Sequence, residues 1–322
     1  MYKTKGCRMI SLLAVFNLIF FCVPIKSTAE IGGIHFYAFP GAWAMDVPDG
    51  SISQHHIRQL KIDKWRDKDG HERSEMGDAL TGIDDVAADQ YIIKIGYIYH
   101  VGSNKQFQWT HLAIVPFADI EVKLTDTAAA VIGRKHFRDN GTADPYWYNS
   151  FGWHNEKGTL HLSAGLHVRF PFGEYDKHNP ASPGLNRFEF FPAVYAHLRY
   201  PMDKGLWMFD IIQNFLYITE NHAIDFDEKD TMESNMIASY FFSKQTRKFG
   251  LFTQLDYMRA VNNSKTQAGK LDDKDAWSFA VGLGLVYSIR PNIIANIKYT
   301  EDVDGKQSRM DKAANFMLTW KF

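Results

Sequence analysis

From Trp277 to Ile289 the chain places an apolar side chain at every second position. Trp277, Phe279, Val281, Leu283, Leu285, Tyr287 and Ile289 alternate with Ser278, Ala280, Gly282, Gly284, Val286 and Ser288. Side chains of period two point to opposite faces of a strand, so the segment predicts a strand with a different solvent on each face. At about 3.3 Å per residue and a tilt near 45°, it covers about 30 Å of a bilayer normal, enough to cross an outer membrane. Trp277 and Tyr287 lie towards its two ends, where aromatic girdles belong.

The pattern returns along the chain. In Thr159 to Phe172, Leu160, Leu162, Ala164, Leu166, Val168, Phe170 and Phe172 oppose His161, Ser163, His167 and Arg169; in Arg187 to Tyr200, Phe188, Phe190, Val194, Ala196, Leu198 and Tyr200 oppose Glu189, His197 and Arg199. Leu206 to Thr219 sets Asp210 and Asn214 against five large apolar residues, and Gln254 and Asp256 stand between Leu251, Leu255 and Tyr257. Lipid on one face and a polar lumen on the other account for this, as in a membrane β-barrel. A large soluble sandwich is the alternative that also alternates. On the barrel reading, His161, His167, Arg169, Glu189, His197, Arg199, Asp210, Asn214, Gln254 and Asp256 line the lumen. There they either contact a solute or fill the barrel through cross-strand ion pairs.

The amino terminus agrees with export. Lys3, Lys5 and Arg8 precede the apolar run MISLLAVFNLIFF, and Ser27-Thr28-Ala29 follows Pro24. This is the layout of a secretory signal peptide, residues 1–29, cleaved after Ala29. Both cysteines, Cys7 and Cys22, lie in that segment, so the mature chain has no disulfide framework. Cleavage leaves 32 of the 36 basic residues against 37 acidic ones. That balance gives nucleic-acid binding no electrostatic support. Residues 30–50, rich in Gly and Pro, are expected as a periplasmic or lumenal lead-in, and residues 51–322 as the barrel.

The links between strands alternate in length. The long ones are RDKDGHERSEMGDALTGIDDVAAD, residues 125–143, the bridge GEYDKHNPASPGLN, ENHAIDFDEKDT, Asn262 to Lys274 and EDVDGKQSRMD; VGSNK, NEKG, PMDKG, SKQTRK and the Arg290-Pro291 corner are short. The expected fold is therefore an all-β, antiparallel, up-and-down barrel of about twelve strands, with periplasmic termini and long links facing outward. Pro116 predicts a bulge in the third strand. Phe316, Leu318, Trp320 and the terminal Phe322 share one parity, and they look like the assembly signal of bacterial outer-membrane barrels. The partners this implies are outer-membrane lipid, lipopolysaccharide and the barrel assembly machinery.

The sequence carries no nucleotide, nucleophile-elbow or zinc-protease motif. Gly282 and Gly284 read as small lumen-facing residues, so a large side chain at Gly284 is expected to cost little. His161 and His167 stand about 20 Å apart along a strand, too far to share a metal. The acidic loops around Asp225, Asp227 and Asp230, and around Asp302 and Asp304, lack the spacing of a calcium loop. A His and a Ser on one strand face, as in His161 and Ser163, are known from an outer-membrane phospholipase. Parity puts this pair on the Arg169 side, away from lipid. No enzyme activity, cofactor or metal is expected.

FPFGEYD followed by PGLNRFEFFPAV resembles the Pro-x-Gly-x-Tyr-Asp and Gly-x-Asn-x-(aromatic)-x-x-x-Pro pattern of the bacterial family called MetA-pathway of phenol degradation, with Phe172 where that family has a small residue. The resemblance implies an outer-membrane channel for passive uptake of small hydrophobic or aromatic compounds. The alternative is a non-transporting, structural or surface-interaction barrel with a plugged lumen.

Overall fold

The computed structural model describes residues 49–322 except 74–82, 103–104, 244, 267–268 and 271–272. The expected signal peptide and nearly all of the lead-in lie outside the described residues. In chain order the elements are β1 (Gly50–Arg66), β2 (Glu72–Arg73), β3 (Ile83–Val101), β4 (Phe107–Leu124), the helix α1 (Asp126–Ile132), β5 (His136–Thr142), β6 (Tyr146–His154), β7 (Leu160–Arg169) and β8 (Glu189–Pro201). There follow β9 (Leu206–Ile218), β10 (Thr231–Phe241), β11 (Phe249–Ala260), β12 (Lys265–Thr266), β13 (Gly269–Lys270), β14 (Trp277–Arg290), β15 (Ile293–Lys306) and β16 (Ser308–Lys321).

Twelve of these strands make one antiparallel barrel, each paired with its neighbour in sequence, and β16 pairs back onto β1 to close it. The closing seam runs from Ile52 opposite Lys321 to Arg66 opposite Ser308. Its periplasmic end is tied by Ser51 and Phe322, whose main chains exchange hydrogen bonds of 2.8 and 3.0 Å. Among the described residues, closure leaves each of the twelve barrel strands paired on both sides, the condition for a sheet to cross a membrane.

Burial alternates along the barrel strands as the sequence pattern predicts. Ile57, Ile95, Phe151, Leu283, Ile297 and Trp320 stand exposed on the outer face, while His161, Asp210, Asn235, Gln254, Asp256 and Lys298 are buried on the inner one. The weakly patterned first strand is still a strand. Its inner face mixes Ile52 and Ile62 with Gln54, His56 and Arg58, so hydropathy alone blurs its two sides.

Three expectations about the links are corrected. EDVDGKQSRMD is not a loop: β15 runs to Lys306, β16 starts at Ser308, and only Gln307, with φ 46°, turns between them. Above the apolar belt both faces of a strand meet polar surroundings, so acidic residues extend the ladder; Asp302 Oδ2 accepts the Asp311 N–H at 2.8 Å. Likewise β3 begins at Ile83, within the stretch expected as loop up to Asp89. Pro116 makes no bulge, since the β3–β4 register is continuous through its pairing with Ile92. It sits where β4 changes partner, from β6 (up to Ile114) to β5 (from Phe117). A residue without an N–H fits that gap.

The link at 125–145 carries structure of its own. Thr125 Oγ1 caps α1 by accepting the Ala128 N–H at 3.3 Å, and Gly133, with φ 79°, ends it. Ala128 and Ala129 pack with Val122, Leu124, Phe137 and Ala181, an apolar cluster at the extracellular end.

Candidate functional site

The inner surface has three tiers. The outermost is built from the residues that carry the family resemblance. Asp144 accepts the Gly173 N–H at 2.9 Å on one carboxylate oxygen and the Leu185 N–H at 2.7 Å on the other, drawing the two halves of the signature together. Gly184 lies so close to Gly173 and Glu174 that a Cβ there would fall 2.9 Å from main-chain atoms. The Glu174 carboxylate accepts the Thr142 N–H at 3.1 Å, and Asn221 donates to the Tyr175 hydroxyl at 3.1 Å and to the Leu185 carbonyl at 2.9 Å. Glu189 holds Arg169 at 2.8 Å and Arg187 at 3.0 Å, and Arg187 also pairs with Glu228.

Burial pushes the Asp144 carboxyl up from its ordinary value, against the pull of its two N–H donors. With the folded pKa above the unfolded one, this group's contribution to stability grows as pH falls through the folded value and shrinks as pH rises. Asp144→Ala strands two N–H groups and is expected to cost about 1–3 kcal/mol. The readout is faster proteolytic cleavage within residues 170–188; an unchanged cleavage rate would mean that Asp144 does not hold this loop.

The waist below is polar on one side. Lys298 Nζ donates to Gln254 Oε1 at 2.9 Å, Gln254 Nε2 to Asp256 Oδ2 at 2.8 Å and to Asn235 Oδ1 at 3.2 Å. Asn235 and Asn214 then donate to the two oxygens of Glu233 at 3.0 and 3.3 Å. The belt joins four strands, β9, β10, β11 and β15, and crosses β14, where Gly282 stands between Gln254 and Thr300 and Gly284 opposite Lys298. The other side is aromatic: the Tyr148 and His167 rings lie 4.2 Å apart, and His167 Nε2 is 3.1 Å from the Tyr195 hydroxyl. Gly284 is not open space, because the Phe252 ring and the Ile297 carbonyl occupy the place of a Cβ.

The third tier is a vestibule of about 630 Å³ at the periplasmic end. Ile52, Leu112, Phe241, Val286 and Met317 form its apolar band, and Asp49, Arg199, Arg247 and Lys321 its charged mouth. Beside it, His154, His161 and His197 form a row with ring centroids 5.4 Å apart at each step. His197 Nδ1 lies 2.7 Å from an Asp210 carboxylate oxygen, and Arg199 Nε reaches its Nε2 at 3.2 Å.

All ten residues expected on the lumen face lie on it. His161, His167, Glu189, His197, Asp210, Asn214, Gln254 and Asp256 are buried, and Arg169 and Arg199 are half-buried. The geometry joins them in separate groups: Arg169 with Glu189, His197 with Asp210 and Arg199, Gln254 with Asp256. His161 Nε2 lies 3.1 Å from the Gly158 carbonyl, and Ser163 faces the lumen with it. His56, Arg58, Lys94, Glu233 and Lys298 were missed. For Lys94 and Lys298 the signal was present, a charge on the parity opposite the large apolar residues within the stretches Tyr91–Tyr97 and Ile293–Tyr299. Among the described residues, Asp67, Asp69 and His71 bring ligand atoms within 4.8 Å of one another on an outer turn. Asp67 Oδ1 there already accepts two main-chain N–H groups.

A closed barrel of twelve antiparallel strands, apolar outside and polar within, is a β-barrel of the outer-membrane class. The chain belongs to the family described as "Putative MetA-pathway of phenol degradation", whose model matches residues 78–319. No curated protein sequence matches it significantly. Among solved structures it is similar to an outer membrane channel from Pseudomonas putida F1, with a TM-score of 0.69 at 13% identity over 91% of this chain and 100% of that one. It is also similar to the transport unit of the autotransporter AIDA-I from Escherichia coli, with a TM-score of 0.51 at 8% identity over 87% of this chain and 92% of that one. At these identities the likeness is one of fold.

Proposed function

We propose that the chain is a channel of the Gram-negative outer membrane for passive uptake of small hydrophobic or aromatic compounds. A signal peptide cleaved after Ala29 exports it, residues 30–50 are a lead-in, and residues 51–322 fold as the barrel. The observation that carries this reading is the vestibule of about 630 Å³ inside the barrel, where an apolar band of Ile52, Leu112, Phe241, Val286 and Met317 is interleaved with uncharged polar side chains such as Gln54, Gln108 and Thr319. Family membership supports it, as does the fold shared with a protein that is itself an outer membrane channel. The inward residues from His161 to Asp256 contact the solute in passage, and the waist sets what passes. Phe316, Leu318, Trp320 and Phe322, on the outer face of β16 and at its end, serve as the signal read by the barrel assembly machinery. Lipid and lipopolysaccharide surround the outer face.

Refolded protein in liposomes is expected to raise phenol flux and to give discrete conductance steps in planar bilayers. No permeability to any small solute would sink the channel.

A further inference from the structure

The loop between β7 and β8 is entered and left through phenylalanine. Phe170, Pro171 and Phe172 make a three-residue turn, in which the Phe172 N–H donates to the Phe170 carbonyl at 2.8 Å. That turn sets the two rings side by side, with 5.5 Å between centroids and 18° between planes. Phe170 meets Phe188 edge-on at 6.2 Å, and the row runs on through Phe190 to Tyr217 of β9. It continues the outer face marked by Leu162, Leu166 and Val194. Phe172 is 71% exposed, more than any other aromatic side chain among the described residues. At about 3.3 Å per residue and a tilt near 45°, Phe170 lies about 23 Å of bilayer normal above Leu160, and the apolar band of such barrels is about 25 Å tall. Phe172 therefore stands at the outer edge of that band. The next residue is held from the opposite side: Gly173 donates its N–H to Asp144, in the outer tier of the lumen, at 2.9 Å.

We infer that the acyl chains of the outer leaflet hold this loop from outside, packing on Phe172, Phe170 and Phe188 while Asp144 holds it from within. Lipid is the occupant because the row is continuous with the outward faces of β7, β8 and β9, and all of its rings are uncharged. A ring at this depth buries apolar area in hydrocarbon and lies at the headgroup boundary, where aromatic side chains collect. The position of the loop then depends on the bilayer as well as on the protein. The inference concerns how the loop is held and does not require that any solute pass.

The test is spin labelling of the full chain, with Cys7→Ser and Cys22→Ser, refolded into dioleoylphosphatidylcholine vesicles. A nitroxide is placed by Phe172→Cys, with Leu283→Cys as the lipid reference and His178→Cys, at an exposed position of the same loop, as the water reference. Collisions with oxygen, which dissolves in hydrocarbon, and with a water-soluble nickel chelate report the surroundings of each label. At 172 the nickel collisions are expected to fall to the level at 283, while at 178 they stay at the level of open water. Nickel collisions at 172 equal to those at 178 would overturn the inference. In the same vesicles Phe172→Ser is expected to speed proteolytic cleavage within residues 173–187 by about tenfold, the factor for burying part of one Phe side chain, since cleavage follows the population of the open loop. Phe172→Trp is expected to be cleaved at the native rate. Equal rates in the native protein and both variants would show that lipid does not hold the loop.

Discussion

Leu283→Arg is expected to cost about 2–4 kcal/mol of folding free energy in phospholipid vesicles. Leu283 stands on the outer face of β14 between Thr253 and Tyr299, and it is 71% exposed. In the membrane that exposure is contact with hydrocarbon, where a guanidinium finds neither water nor a partner. The adjacent Gly284 faces the lumen, and sequence reasoning made a large residue there nearly harmless. The Phe252 ring and the Ile297 carbonyl already fill that place, so Gly284→Arg is expected to lose about 1–3 kcal/mol through overpacking. Urea unfolding of both variants in vesicles checks the pair. A change within about 0.5 kcal/mol for Leu283→Arg, the size of an ordinary surface substitution, would mean that this face does not meet lipid.

Glu189→Ala is expected to cost about 3–5 kcal/mol, the penalty for removing one member of a buried charge network. The Glu189 side chain is 3% exposed and holds Arg169 and Arg187, whose side chains are 18% and 7% exposed. Arg187 would keep Glu228, but Arg169 would keep mainly the faces of Tyr146 and Phe191, 4.5 and 5.9 Å from its guanidinium carbon. A cation over a ring returns about 1–2 kcal/mol, which does not replace a carboxylate. The double variant Arg169→Met, Glu189→Met tests the cause, because removing both charges leaves none stranded and is expected to recover part of the loss. The measurement is the unfolding midpoint in detergent. A midpoint for Glu189→Ala equal to that of the native protein would show that the network contributes nothing to holding the outer tier.

Much of the architecture could be read directly from the chain. A period of two needs only neighbouring residues to be seen, so the inward side of β7, β8, β9 and β11 was assigned correctly from hydropathy. Where inside and outside do not differ in polarity, that signal fails. β1 carries isoleucine within and histidine on both faces; β15 and β16 continue above the lipid as polar ladder and were taken for a loop. The candidate site was legible as a set of inward residues but not as an arrangement. That His197 meets Asp210, or that Lys298 crosses a glycine to reach Gln254, depends on which residues of neighbouring strands stand opposite each other.

The sequence by itself determined which side of each well-patterned strand meets lipid and that the chain is a membrane barrel, because alternation is local and lipid tolerates no uncompensated polar face. Only the tertiary structure decided the closing register, the packing of Phe252 over Gly284, and the division of the lumen into a tied outer tier, a polar and aromatic waist and a periplasmic vestibule. Those depend on partners distant in the chain, as in the 3.2 Å hydrogen bond between Gln54 and Thr319, 265 positions apart. Such pairs meet only when the last strand returns to the first, and no local pattern encodes that return.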